Sequence, residues 1–157
     1  FGCLDSAAPL LRTEIGNESI FTGDYRSRKV AKIGVDIAIF GAANTGGRPL
    51  SVMLSNDSGT PYDYTDDIWV FWKGYKLIPM PNGVFKEFDF VIPSQSTTLP
   101  DGWKVVYSYS TGDVDLDWNI VMNDVSQVYF HFGDPEMFFM FQMWDIGVDN
   151  VRLWYDE

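Results

Sequence analysis

Cysteine and histidine are almost missing from this 157-residue chain, which has Cys3 and His131 as its single examples. One cysteine excludes an intrachain disulfide, a cysteine-rich zinc site and a redox pair. One histidine excludes a histidine metal cluster and leaves no choice of base for a conventional Ser-His-Asp triad. Because His131 alternates with aromatic residues in "VYFHFG", we expect it on one face of a strand.

Positive charge and long apolar runs are scarce as well. Eleven Lys and Arg residues stand against 22 Asp and Glu residues, so the formal net charge is −11. Such a charge repels phosphate backbones and anionic lipid surfaces, and we expect no nucleic-acid partner. No apolar run approaches the roughly 18 to 20 residues that a bilayer-spanning helix needs, so membrane insertion is not expected. The length, with no repeat or linker, predicts one domain over residues 1–157.

Short segments with alternating apolar and polar residues make up most of the chain. The clearest is "VAKIGVDIAIF", in which the apolar residues from Ala31 to Ile39 recur at every second position. Further strands are predicted in "LSVMLS", "IWVFWKGY", "VFKEFDFVI", "WKVVYSYS", "SQVYFHF", "MFFMFQMW" and "VDNVRLW". Turn signals about every ten residues between such strands indicate an all-β sandwich or barrel with antiparallel strands.

Two segments depart from this simple alternation. In "DVDLDWNIVMNDV" an Asp or Asn cap precedes apolar residues at helical spacing, Trp118, Val121, Met122 and Val125, which predicts one short helix. In "MFFMFQMW" both alternating sets are apolar, which predicts a central strand covered on both faces. A turn at residues 145–147 and a closing strand are predicted to follow it.

The segments "FTGDYRSRKVAKIGVDIAIFG", "GRPLSVMLSNDSGTP", "FKEFDFVIPSQSTTLPDGW" and "FQMWDIGVDNVRL" together resemble a family of secreted bacterial jelly-roll domains. That family is similar to the laminin B type and to the carbohydrate-binding-module type of galactose-binding-like sandwich. The resemblance covers nearly the whole chain, and its most specific part is "DIGVDNVRL". It implies a jelly-roll fold, an extracellular or cell-surface location, binding to a glycan or matrix component, and no catalysis.

The beginning of the chain departs from that family pattern. Such domains open with a strand well before the "LDSAAPLLRT" segment, whereas only Phe1, Gly2 and Cys3 precede it here. Without that strand one sheet has an unpaired edge, which invites strand addition by a neighbouring chain. The alternative function is therefore a structural subunit of an extracellular filament or matrix that assembles by strand addition.

Acidic residues form two groups with the oxygen ligands that calcium prefers. The loop after the third predicted strand contains Asp57, Asp63, Asp66 and Asp67. Asp113, Asp115 and Asp117 are spaced like the opening of an EF-hand loop, although Trp118 stands where that loop needs Gly and Asp124 replaces its Glu. The resemblance adds Asp149, at a strand end where jelly-roll relatives hold structural calcium. Structural Ca²⁺ is thus the predicted cofactor, and chance clustering in an acid-rich chain is the alternative.

Aromatic residues make up 17% of the chain and supply the candidate ligand contacts. Ring faces stack against the C–H faces of sugars when they lie at loop tips or on an open sheet face. The candidates are Tyr62, Tyr64, Trp69, Tyr75, Trp103, Tyr107 and Tyr109. The alternative for each ring is that it fills the core of the sandwich.

Catalysis by a pair of carboxylates is the remaining possibility. Jelly-roll glucanases have a Glu-x-Asp-x-x-Glu strand, and the closest match here, "EFDFVIP", supplies Glu87 and Asp89 but no third acid. The sequence therefore predicts a binding module that is not an enzyme, and Glu87 and Asp89 are expected on a solvated face.

Overall fold

The structure, a computed structural model, describes residues 10–12, 19–42, 47–106, 109–136 and 144–157. Its elements are β1 (Leu10–Arg12), β2 (Val30–Ala42), β3 (Leu50–Asn56), β4 (Ile68–Trp72), β5 (Lys86–Val91), β6 (Trp103–Val106), α1 (Val114–Asn123), β7 (Gln127–Phe132) and β8 (Trp144–Tyr155). Two antiparallel sheets contain the strands, in the orders β1-β7-β3-β4-β6 and β5-β2-β8. The predicted fold class, an all-β antiparallel sandwich with one short helix, is confirmed.

The chain passes repeatedly from one sheet to the other. β2 leaves the first sheet to form the centre of the second, β3 and β4 return to the first, and β5 again joins the second. Consequently the β4–β5 connection crosses the gap between the sheets at one edge of the sandwich. This connection carries the candidate site described below.

The core lies between the sheets because each strand turns its regularly spaced apolar side chains inward. Ile33, Val35 and Ile37 of β2 are fully buried against residues such as Val52 of β3. Phe90 of β5 meets Phe130 of β7 across the gap, with ring centroids 5.9 Å apart. The alternating apolar residues of the sequence thus lie on the inward face of the three-stranded sheet.

The outer faces of the two sheets differ. On the five-stranded sheet, Met53, Phe71, Val106 and Tyr129 form a second buried cluster on the side away from the main core. His131 lies in β7, as predicted, and its burial lowers the pKa of its imidazole below the usual value. The outer face of the three-stranded sheet instead carries charged residues.

Helix α1 matches its prediction closely. Asp113 is the N-cap and accepts hydrogen bonds from the backbone N–H groups of Asp115 and Leu116. The four apolar residues predicted for its inward side, Trp118, Val121, Met122 and Val125, are fully buried. Among the described residues no helix is long and apolar enough to cross a bilayer.

The end of the chain corrects one prediction and leaves another untested. The predicted turn at residues 145–147 is wrong, because β8 runs without interruption from Trp144 to Tyr155 and pairs with β2. Shifts of register along β2 and β8 and a positive φ of 48° at Asn150 absorb the irregular sequence within the strand. The predicted central strand falls mostly on residues 137–143, which lie outside the described residues.

Candidate functional site

A pocket of about 180 Å³ opens at the edge of the sandwich where the β4–β5 connection crosses between the sheets. Leu50, Phe88 and Phe90 belong to the buried core and form its apolar floor. The end of β4 and the residues after it supply the remaining wall, with Asp89 of β5 at the rim. The pocket is therefore apolar inside and has polar groups at its mouth, which is the usual composition of a small-ligand site.

Gly74 fixes the wall of the pocket against β3. A Cβ atom at this position would lie 1.9 Å from the carbonyl oxygen of Leu50, so no other residue fits without moving the backbone. The backbone N–H of Leu50 donates to the carbonyl of Lys76, and the N–H of Ile78 donates to the carbonyl of Arg48. This side of the pocket is consequently sealed by backbone hydrogen bonds.

Two aromatic rings shape the mouth of the pocket. Tyr75 is 82% exposed, and its ring packs edge-to-face against Trp72 with centroids 5.3 Å apart. Trp72 in turn packs against Phe90 at 6.0 Å, so the pair is anchored to the core. Tyr75 thus presents an aromatic ring to solvent on a wall that the backbone holds in place.

The free edge of β5 supplies backbone hydrogen-bonding groups at the rim. The N–H of Ile92 donates to the carbonyl of Ala31, and residues of an antiparallel pair alternate between facing the partner strand and facing away from it. Glu87 and Asp89 therefore direct their backbone groups away from β2. Lys76 confirms this direction, because its ammonium donates to the carbonyl of Glu87. The backbone N–H and C=O of Asp89 remain at the rim of the pocket.

A charged network continues from Asp89 across the outer face of the three-stranded sheet. The guanidinium of Arg152 lies 2.9 Å from Asp36 and 3.0 Å from Glu87, and Lys32 lies 3.2 Å from Asp89. The hydrogen bond from Asn150, with those of Arg152, holds the pKa of Asp36 below its usual value. The acidic side chains on this face are thus neutralised locally in spite of the negative net charge.

Trp154 lies over Gly34 in the same network. A Cβ atom on Gly34 would come within 2.8 Å of the Trp154 ring and 2.6 Å of an Asp89 carboxylate oxygen. The ammonium of Lys32 lies 3.8 Å from the centroid of one of the Trp154 rings, which is a cation–π contact. Gly34 therefore gives Trp154 and Asp89 room to approach the sheet.

The predicted aromatic candidates do not form one site. Tyr62 and Tyr64 are exposed in the loop between β3 and β4, at the opposite end of β4 from Tyr75. Tyr109, also exposed, follows β6, and Tyr107 lies outside the described residues. Of the six candidates that the structure describes, only Tyr75 lines the pocket.

Both tryptophan candidates pack inside the protein. Trp103 is 5% exposed and packs against Trp118 in the core at 5.0 Å, so its assignment as a sugar platform is wrong. Trp69 is half-buried, with its ring 4.6 Å from that of Tyr129. Trp103 is therefore removed from the accessible surface, while Trp69 stays partly exposed beside the second buried cluster.

The acidic candidates of the β3–β4 loop accept hydrogen bonds from nearby groups. Asp57 accepts from Ser126 and from the N–H of Gly59, Asp63 accepts from Thr65, and Asp66 accepts from Thr60. Asp67 is buried at the start of β4. Burial, and then repulsion by the neighbouring carboxylates, raise the pKa of Asp67 to about 6, although a hydrogen bond from Trp69 opposes the increase.

The acidic candidates near α1 and in β8 also have separate partners. Asp113 caps the helix, Asp115 accepts from the N–H of Leu99, and the buried Asp117 accepts from Ser110 and Thr111. Asp149 accepts from the N–H of Asn150. Within the part of the chain that the structure describes, no three acidic, His or Cys side chains are grouped as a metal site. Structural calcium at these residues stays a prediction.

Glu87 and Asp89 lie on the outer face of β5, and both contact cations. Arg152 bonds the carboxylate of Glu87, while Lys32 bonds that of Asp89. Both carboxylates therefore form ion pairs within the charged network on this face of the sheet.

Most residues of the pocket and of the adjoining network were not predicted from the sequence. Trp72, Lys76, Arg152 and Trp154 were not among the candidate site residues. The available signals were the glycines: Gly34 interrupts an alternating strand pattern, which indicates close approach of another group, and Gly74 directly precedes Tyr75 and Lys76.

No protein-family model, no curated protein and no solved structure matches the chain.

Proposed function

We propose that this chain is an extracellular, non-catalytic module that binds carbohydrate in the pocket beside β5. The observation that carries the proposal is the exposed ring of Tyr75, held against Trp72 at the mouth of a pocket of about 180 Å³. The resemblance to secreted jelly-roll binding domains supports the same ligand class and the extracellular location.

The pocket offers both kinds of contact that a sugar needs. An aromatic ring face packs against the C–H groups of a pyranose and buries apolar surface of both partners. The ammonium of Lys76, the hydroxyl of Tyr75 and the free backbone groups of Asp89 surround the mouth and are suited to sugar hydroxyls. Few polar groups around an apolar floor are what orient a small ligand.

Strand addition at this edge is less favoured than sugar binding. The β4–β5 connection runs beside β5, and Lys76 already occupies the carbonyl of Glu87 that an added strand would use. On the other edge of the three-stranded sheet, β8 is continuous but has register shifts in its pairing with β2 and a positive φ at Asn150, and such an irregular edge is a poor template for an added strand. The unpaired edge was predicted near the N-terminus, where β1 is an outer strand of the five-stranded sheet in the described residues. Strand addition at that edge stays a prediction. Size-exclusion chromatography at high protein concentration tests assembly, since a strictly monomeric protein contradicts it.

Replacing Tyr75 by Ala tests the proposed site. We expect the wild-type chain to retain a defined set of sugars on a glycan array and Tyr75→Ala to bind them at least about tenfold more weakly, because the stacking surface is lost. Isothermal titration calorimetry with a retained sugar measures the change.

The matched control is Tyr62→Ala. Tyr62 is similarly exposed at 78% but lies at the other end of β4, so this variant should bind like the wild type. Tyr75→Phe should keep most of the affinity. Equal affinity of Tyr75→Ala and the wild type, or loss of binding in Tyr62→Ala alone, contradicts the proposed site.

A further inference from the structure

The pocket beside β5 is small in comparison with ordinary ligand sites. Its volume of about 180 Å³ is below the roughly 300–1,000 Å³ typical of sites for drug-sized ligands. A single pyranose ring with its hydroxyl groups is of this order of size, whereas two linked rings exceed it.

Two sides of the pocket are closed by packed groups. Its floor consists of Leu50, Phe88 and Phe90, which are buried in the core between the sheets. On the side away from β5, Gly74 packs against the carbonyl of Leu50, and the Leu50 N–H is bonded to Lys76. A sugar chain with one ring in the pocket cannot continue through either of these two sides.

From this geometry we infer that the pocket recognises the terminal residue of a glycan chain and not an internal stretch. This inference rests on the proposed carbohydrate binding and narrows it to one class of ligand, a chain end with a single ring in the pocket. The ring of Tyr75 packs against the terminal pyranose. The rest of the glycan extends outward, where the charged face bearing Arg152 and Trp154 adjoins the rim at Asp89.

The number of chain ends is the variable that tests the inference. Soluble mannan, xylan, galactan and β-glucan are titrated into the protein by calorimetry, each before and after limited cleavage that doubles its chain ends. For any polysaccharide that binds, we expect the number of proteins bound per gram to double while the Kd per end stays unchanged. The matching free monosaccharide should displace the polysaccharide completely.

The possible outcomes separate the inference from the function on which it rests. Binding that is unchanged per gram after cleavage shows recognition of internal chain and overturns the inference, while carbohydrate binding stands. No binding to any of the four polysaccharides or to a glycan array overturns both. As a control for the location, binding of chain ends must weaken in Tyr75→Ala and persist in Tyr62→Ala. End binding that survives Tyr75→Ala overturns the assignment to this pocket.

Discussion

Asp67 is an ionisable side chain in an unfavourable position at the start of β4. It is 2% exposed, and Asp57, Asp63 and Asp66 lie near enough to repel its charge. Burial and this repulsion raise the pKa of Asp67 to about 6, from an ordinary value of 3.8. The folded protein therefore binds a proton at Asp67 more readily than the unfolded chain does. The resulting stabilisation is complete below about pH 4 and is lost as the pH rises through 6.

The variant Asp67→Asn should remove this pH dependence. At pH 7.5 we expect its free energy of unfolding to exceed that of the wild type by roughly 1–2 kcal/mol, because a buried charge is replaced by a neutral group of similar shape. Below pH 4 the two proteins should differ little, since Asp67 is then protonated. Urea unfolding at both pH values measures the difference.

Asp101→Asn is the control for this experiment, because it reduces the net charge equally at an exposed turn between β5 and β6. It should not reproduce the increase at pH 7.5. A difference in the free energy of unfolding between Asp67→Asn and the wild type that is the same at both pH values would show that the carboxylate of Asp67 is not the titrating group.

For single residues, the sequence predicted which side chains are exposed better than it predicted which side chains of different strands are in contact. Tyr75 was predicted as an accessible ring at the end of the strand "IWVFWKGY", and it is exposed, although β4 ends at Trp72 and Tyr75 lies in the connection that follows. Trp154 and Gly34 meet only because β8 lies beside β2, and no local pattern contains that pairing. Trp103 was misassigned because a tryptophan suits a sugar platform and a core equally well; in β6 it lies on the inward side and Lys104 on the exposed side.

Helix α1 depends on its N-cap more than on charge near its C-terminus. Asp113 satisfies two backbone N–H groups of the first turn, and no basic residue lies in the last turn. The first turn also contains Asp115 and Asp117, which favour the positive end of the helix dipole. Since the helix buries Trp118 and Met122 in the main core, a frayed first turn weakens packing against β6.

Replacing Asp113 by Ala should destabilise the protein by about 1 kcal/mol, the usual cost of losing such a cap. Asp113→Asn should be nearly neutral, because Asn accepts the same hydrogen bonds. Thermal unfolding followed by circular dichroism compares the two variants. Equal losses in both would mean that the carboxylate charge, and not the cap geometry, provides the stability.

Among the elements, the strands with regular alternation were predicted well, whereas the strand with an irregular sequence was predicted poorly. β2 and β3 begin where their apolar patterns begin, and α1 has its predicted cap and buried side. The segment of β8 was wrongly predicted to contain a turn followed by a shorter strand, because Asp, Gly and Asn, here Asp145, Gly147 and Asn150, are common in turns. Here they lie in a strand whose irregular register accommodates them while β2 supplies the hydrogen bonds. Tertiary pairing overrode local preference in that segment.

The acidic residues of the whole molecule outnumber its basic residues by two to one and are unevenly distributed. The outer face of the three-stranded sheet pairs its carboxylates with Lys32 and Arg152. The β3–β4 loop holds Asp57, Asp63 and Asp66 around Asp67, and the hydrogen bonds of the first three come from Ser, Thr and backbone groups. Repulsion within the folded state is therefore concentrated at the loop end of the sandwich.

Salt should stabilise the protein by screening this repulsion. Raising NaCl from low to moderate concentration should increase the melting temperature by about 1–4 °C, the shift that roughly 0.5–1 kcal/mol produces in a domain of this size.

The same titration tests the predicted structural calcium. If a calcium ion binds the folded state, CaCl2 should raise the melting temperature more than NaCl of equal ionic strength, and EDTA should reverse the difference. MgCl2 is the control for divalent charge, because Mg²⁺ is smaller and demands a more rigid octahedral site. Identical curves for CaCl2 and MgCl2 count against a calcium site, and a melting temperature that falls with NaCl contradicts the repulsion argument.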